Sequence, residues 1–317
     1  MGRYIGRRLL IGLPTLVGAS IFIFLLMRVV PGDVAVLIVA GEQGYADLEA
    51  VERVRHEYGL DRPLLTQYAS WVWRLLHLDL DKSYWHRKPV KEFLAKRLQI
   101  TLQLAIMSTL FAVVMSFPAG VVSAVYQDTW IDYLIRVFSL AALSIPNFWL
   151  GIMIILVQVQ FLAWSPPVTW TSFLDNPVEN LLHTVWPALV VGFSLAGVMT
   201  RLMRSSVLEV LRQDYIRTAR GKGLSEYVVI LRHCVRNALL PYTTFVGLSF
   251  ALLMGGLLVT ERVFNVPGVG AFLVDGLLNR DYPLVQSIIV FFTVVLVLMN
   301  LAVDVLYGYL DPRVRYE

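Results

Sequence analysis

The sequence predicts an all-α integral membrane protein with six transmembrane helices. Two observations carry the prediction. Of 317 residues, 57% are hydrophobic and only 16% charged, whereas a soluble domain carries about 25% charge and about 45–50% apolar residues. The apolar excess is also gathered into blocks, at 9–30, 101–126, 134–161, 183–202, 240–259 and 284–307. Each can cross a hydrocarbon core of ~30 Å, which takes about 20 residues of helix.

The first block follows Arg3, Arg7 and Arg8, as a signal peptide would. Its apolar core nevertheless runs to Val30, past the usual ~7–15 residues, and Val17-Gly18-Ala19 makes only a loose cleavage site. An uncleaved first helix is expected. Residues 31–98 read as a folded outer segment. Leu48, Val51 and Val54 recur at helical spacing, Gly59 offers a stop, and Pro63 opens a second helix through Trp71 and Trp73. A third helix, 90–98, is expected to lie on the surface and lead into the second span. The Trp and Tyr of this segment suit a bilayer interface. Pro14, Pro118, Pro146 and Pro187 fall inside spans, where neighbouring helices or water satisfy the freed carbonyls.

Orientation follows from charge. With the N-terminus inside, inner segments hold 14 Lys/Arg against 8 acids, and outer segments 13 against 15. The outer loop 31–98 holds ten of each sign, but long loops translocate largely regardless of charge. Both termini are expected in the cytoplasm, and the net charge of +4 reflects topology rather than nucleic-acid binding.

Catalytic constellations are scarce. Gly221-Lys222-Gly223 lacks the Walker A spacing, because Ile216 stands where its first glycine belongs and Gly223 where Ser or Thr must follow the lysine. No histidine sits in an H-E-x-x-H pattern, and dispersed His56, His77 and His86 read as surface residues. One cysteine, Cys234, leaves neither an internal disulfide nor a multi-cysteine metal site. Neither a metal site nor a cofactor of the chain's own is expected. Asn147 and Gln158 in the third span and Asn300 in the sixth are polar; such residues face a pathway or bond neighbouring helices. Arg28 and Asp304 lie near span ends, so midplane charges are nearly absent. A secondary carrier or channel, the alternative reading, would need those charges or an inverted repeat, and a membrane enzyme would need convergent acid, base and nucleophile. Energy for transport is therefore expected from another protein.

The inner loop is the place for that coupling. From 205 to 219, Val207, Leu208, Val210, Leu211 and Tyr215 form an apolar stripe opposite Arg212, Asp214 and Arg217. Gly221 and Gly223 end the helix, and Ser225 caps a second one through Val228, Val229 and Leu231. Periodicity leaves two readings open: docking in a groove on a soluble partner, or lying on anionic lipid.

Arg217-Thr218-Ala219-Arg220-Gly221-Lys222-Gly223-Leu224 resembles the EAA loop of ABC importer permeases, in the form used by the dipeptide/oligopeptide/nickel subfamily. There the typical run is R-T-A-R-A-K-G-L, so Gly221 replaces an alanine. Further matches are Val30-Pro31-Gly32-Asp33, Gly59-Leu60-Asp61-Arg62-Pro63, Pro89-Val90, Ser144-Ile145-Pro146-Asn147-Phe148-Trp149, Thr260-Glu261-Arg262-Val263-Phe264, Pro267-Gly268-Val269-Gly270, Arg280-Asp281-Tyr282-Pro283 and Asp311-Pro312-Arg313. Leu78-Asp79-Leu80-Asp81-Lys82-Ser83 departs from the usual G-D-L-G-x-S.

The resemblance implies a type I ABC importer permease fold of the first-subunit type, with the long outer segment. The implied partners are a second homologous permease, two cytosolic ATPases and an extracytoplasmic solute-binding protein, in a bacterial or archaeal inner membrane. ATP and Mg would be bound by the ATPase subunits. Coupling falls to Tyr215, Arg217, Thr218, Ala219, Gly223 and Leu224. Asn147, Gln158, Asn300 and Asp33 are candidate pathway or gate residues, and residues 31–33 and 261–283 the candidate outer gate and docking face of the binding protein. The expected division is 1–30 for the N-terminus and first helix, 31–98 for the outer segment, 99–310 for a five-helix core with the coupling loop at 203–239, and 311–317 for the tail.

Overall fold

The computed structural model describes residues 2–29, 32–40, 47–167 and 169–310. In chain order its helices are α1 (Gly2–Val29), α2 (Val34–Ala40), α3 (Leu48–Glu57), α4 (Leu64–Leu76), α5 (Val90–Val125), α6 (Trp130–Ser144), α7 (Asn147–Leu162), α8 (Pro177–Leu211), α9 (Asp214–Gly221), α10 (Glu226–Val228, continuing as a π-helical turn Val229–Val235), α11 (Arg236–Gly256), α12 (Leu258–Val263), α13 (Val269–Leu278) and α14 (Tyr282–Leu310). Among the described residues the only β-pairing is an isolated bridge, Lys82 to Pro89. Among the described residues, five helices are long and apolar enough to cross a membrane, and six spans result if α6 and α7 are taken as one broken span.

The break falls at Pro146, inside the span expected over 134–161. The axes of α6 and α7 meet at 97°. Pro146 supplies no N–H and forces the residue before it out of the helical region. Ile145 (φ −86°, ψ 120°) and Pro146 (φ −62°, ψ 134°) are both extended. Pro118 and Pro187, by contrast, sit inside unbroken helices.

Two expectations are corrected. Residues 90–98 are no separate surface helix but the first turns of α5, with Val90 and Leu94 buried; nothing between 90 and 118 breaks the helix. The amphipathic run 205–219 is two helices. α8 continues to Leu211, and its 35 residues span about 52 Å, well beyond a hydrocarbon core of ~30 Å. The chain then turns at Arg212 and Gln213 and restarts as α9.

The chain forms two compact units. The first comprises Gly2–Gln99 and Gly268–Val297. Its core gathers Ile23, Phe24 and Met27 of α1, Trp71 of α4, Tyr84, Phe272 of α13, and Val285 and Ile288 of α14. Gly59, at φ +62°, ends the turn after α3, and Pro63 precedes the first residue of α4. The second unit runs from Ile100 to Pro267 and resumes at Leu298. Its centre is α8, packed on α6, α7 and α11. Small residues permit that approach: a Cβ on Gly192 would lie 2.8 Å from the Ser108 carbonyl oxygen, and one on Gly197 2.7 Å from that of Ser139.

Candidate functional site

Helix α9 is short and strongly two-faced. Ile216 and Ala219, one turn apart, are buried against Val207 of α8 and Val229, Cys234 and Val235 of the π-helical turn. Asp214, Arg217 and Thr218 face outward, and Tyr215 is 44% exposed. The apolar pair seats the helix and leaves a charged ridge free. Gly223 then takes φ +78°, where side chains other than glycine are strained, and its N–H bonds the Arg220 carbonyl at 2.9 Å. Leu224 follows, 40% exposed. Gly221 is still helical and lies in open space, so Gly223 alone supplies the left-handed turn.

Two contacts that sequence reading missed hold this element. Arg220 Nε and Nη2 donate to Glu226 Oε1 and Oε2 at 2.8 and 3.1 Å, bracing the turn from both sides. Asn237 Nδ2 donates to the Tyr215 hydroxyl oxygen at 2.9 Å, tying α9 to α11. Ser225 occupies the cap position before α10, but its side chain makes no capping bond. Of the predicted coupling residues, Tyr215, Arg217, Thr218, Gly223 and Leu224 lie on the exposed surface, whereas Ala219 is a packing residue beside Ile216.

The pathway candidates are placed differently. Asn147 and Gln158 lie about three turns apart on α7 and so share a face. Asn147 Oδ1 and Gln158 Oε1 are both buried without a hydrogen-bond partner. Asn300 is exposed on α14. Asp33 caps α2, accepting from the Ala35 N–H at 2.8 Å, and pairs with Arg55. Burial pushes its carboxyl up, but the Arg55 guanidinium and the α2 N–H groups outweigh that and hold it below its usual value. In 261–283 much of the chain is buried, including Glu261, Phe264, Val266, Val269, Phe272 and Asp281. Glu261 accepts from the Thr101 hydroxyl at 2.7 Å.

A buried ionic network was also missed. Arg204 of α8 donates from Nε and Nη2 to Asp132 Oδ1 and Oδ2 of α6 at 2.8 and 2.7 Å. Ser123 of α5 donates to Asp132 Oδ1 at 2.5 Å, and the Asp128 N–H to Oδ2 at 3.1 Å. Asp132 has no exposure to solvent.

Residues 116–316 match the family "Binding-protein-dependent transport system inner membrane component", and residues 1–105 match "Binding-prot-dependent transport system membrane comp, N-term". A Brucella abortus protein named as a peptide transport system permease is 40% identical over 311 residues, 98% of each chain. The glutathione transport system permease protein GsiC of Escherichia coli is 40% identical over 317 residues, the whole of both chains. Among solved structures, the MetNI methionine ABC transporter in an inward-facing conformation shares the fold, with a TM-score of 0.58 at 17% identity over 70% of this chain and 97% of that one. An amino acid ABC transporter shares it with a TM-score of 0.51 at 12% identity, over 70% of this chain and 94% of that one. The chain belongs to the family of binding-protein-dependent transport system inner membrane components and is a permease subunit of an ABC importer.

Proposed function

We propose that the chain is one of two homologous permease subunits in an importer of short peptides or glutathione, working with two cytosolic ATPases and an extracytoplasmic binding protein in the bacterial inner membrane. One observation carries the substrate class: relatives named for peptides and for glutathione match the chain essentially end to end at 40% identity. The exposed ridge of α9, with Tyr215, Arg217, Thr218 and Leu224 around the Gly223 turn, is the surface for an ATPase subunit. Its charge is oriented outward while Ile216 and Ala219 fix it to the permease, so force on the ridge is passed to α8 and α11. The N- and C-termini lie in the cytoplasm on this reading. ATP and Mg are bound by the ATPases, and this chain contributes geometry instead of chemistry.

The mechanism is a shift between two packings, inward-open and outward-open, biased by closure of the ATPases. Reconstitution with the second permease, the ATPases and the binding protein tests it. Uptake of labelled dialanine or glutathione that requires ATP is the expected result. Uptake that persists without ATP, or failure of the permease to co-purify with any ATPase, would overturn the reading.

A further inference from the structure

The first unit holds a polar cavity of about 270 Å³, walled by α1, the turn between α3 and α4, α4, the loop before α5 and the start of α14. Its lining carries three arginines, Arg28, Arg62 and Arg74, against two carboxylates, Glu57 and Asp81. Two donors there lack an acceptor, and a third residue, Arg28, has only neutral ones. Arg28 gives its Nε and Nη2 to Gln67 Oε1 at 3.2 and 2.9 Å and its Nη1 to the Phe24 carbonyl at 3.0 Å. It also lies over the Phe24 ring at 3.4 Å. Among the described residues, its partners are all neutral. Arg74 pairs with Asp81 through Nη1 at 2.5 Å, leaving Nε buried without an acceptor. Gln286 is 3% exposed, and its Nε2 has no partner.

A buried donor left unmatched carries the full desolvation cost of its group, and more when it is charged. Unmatched N–H groups and an uncompensated guanidinium lining one cavity call for an acceptor that carries negative charge. Asp81 is already engaged by Arg74, and Glu57 stands exposed. We propose that this cavity binds an oxyanion, the carboxylate or phosphate at the end of a small molecule, between Arg28, Arg74 and Gln286. The volume is below the ~300–1,000 Å³ of sites that enclose a whole drug-sized ligand, so the cavity takes a head group or chain end. Arg28 lies one residue before the end of the candidate span Leu10–Val29, and Tyr282 on the cavity wall begins the candidate span Tyr282–Ala302. The cavity is thus at the level of a membrane boundary, within reach of both a lipid phosphate and a dissolved carboxylate.

The test uses the full chain in nanodiscs of phosphatidylcholine, with thermal stability and native mass spectrometry as readouts. The probes are inorganic phosphate, dialanine, and replacement of one fifth of the lipid by phosphatidylglycerol. At least one is expected to bind saturably, with a loss of about tenfold or more in Arg28→Gln and in Gln286→Leu. Retention by phosphatidylglycerol that blocks the soluble probes assigns the phosphate to lipid. Saturation by dialanine, undisturbed by phosphatidylglycerol, assigns the site to a free carboxylate. Absence of saturable binding by all three probes would overturn the proposal, as would folded variants that bind like the unsubstituted chain. Gln286→Leu removes a donor that has no partner, so it keeps the test decisive if Arg28→Gln does not accumulate. Neither ATP nor a partner subunit enters the readout, so its failure would leave the transport reading untouched.

Discussion

Ser83 Oγ donates a hydrogen bond of 2.5 Å to Asp281 Oδ2 across 198 residues of sequence, and the accepting side chain is almost wholly buried. Asp281 Oδ1 accepts from the backbone N–H groups of Tyr84 and Leu284, each at 3.3 Å. One carboxylate therefore caps the first turn of α14 and fixes the loop that precedes α5. Leu78–Ser83, which departs from its family motif, and Arg280–Pro283, which matches its own, thus meet in a single contact.

Removing that carboxylate is expected to loosen the first unit. Asp281→Ala leaves the Ser83 hydroxyl and two N–H groups buried without an acceptor, a cost of about 1–3 kcal/mol. Asp281→Asn keeps an oxygen for the cap and should cost less. Burial is the largest influence on the Asp281 carboxyl and raises it above its ordinary 3.8, against the lowering pull of Ser83 and the N–H groups of Tyr84, Leu284 and Trp85. The native state therefore holds a proton that the unfolded chain has released. The stability linked to this group is complete below 3.8 and is lost as pH rises through the higher folded value. Thermal unfolding in detergent should show the wild type gaining stability as pH falls toward that range, with Asp281→Asn showing less of the gain. Identical pH profiles for the two proteins would refute the assignment.

Leu78 and Asp81 take φ +57° and +62°, at the two positions where the subfamily usually has glycine. The turn therefore takes the left-handed conformation twice without glycine. A left-handed conformation costs a non-glycine residue roughly 1–2 kcal/mol. Leu78 is 82% exposed and loses little packing on replacement, so Leu78→Gly should raise stability by about 1 kcal/mol. Asp81→Gly should gain less or nothing, because it also removes the partner of Arg74. A lower melting temperature for Leu78→Gly would show that the strain is not borne at this residue.

Local signals in the sequence carried the long apolar helices, the Gly59 and Gly223 turns and the charged face of the coupling loop. They mark the bend before α7 through Pro146, but not its 97° angle, because hydropathy runs unbroken through Ser144–Asn147. They also missed Asp132 with Arg204, since the two lie 72 residues apart and each reads singly as a charge at a span end. Ala219 was assigned to coupling on motif position alone, and the helical period that places it one turn from Ile216 puts it on the buried face.

The Asp132–Arg204 pair invites a double-mutant cycle. Breaking a buried pair from one side costs about 3–5 kcal/mol, because the remaining charge stays desolvated. Arg204→Met should be that costly, with Asp132 left at zero exposure. Combining it with Asp132→Leu should recover much of the loss. The measurement is the melting temperature of the four proteins in one detergent. Additive losses in the double variant would show that Asp132 and Arg204 are not energetically coupled.

Gly221 and Gly223 are two residues apart and should respond oppositely. Gly221 is helical with open space where a Cβ would stand. Gly221→Ala should therefore strengthen α9 by up to about 1 kcal/mol and leave uptake unchanged. Gly223 also has room, but its φ of +78° is closed to a β-branched side chain. Gly223→Val must re-form the turn that orients Arg217, Thr218 and Leu224, while the buried Ile216 and Ala219 still seat α9. In proteoliposomes with the partner subunits, the expected result is ATP hydrolysis no longer stimulated by substrate and uptake reduced tenfold or more, in a chain that still inserts. Wild-type coupling in Gly223→Val would remove this turn from the transmission of force.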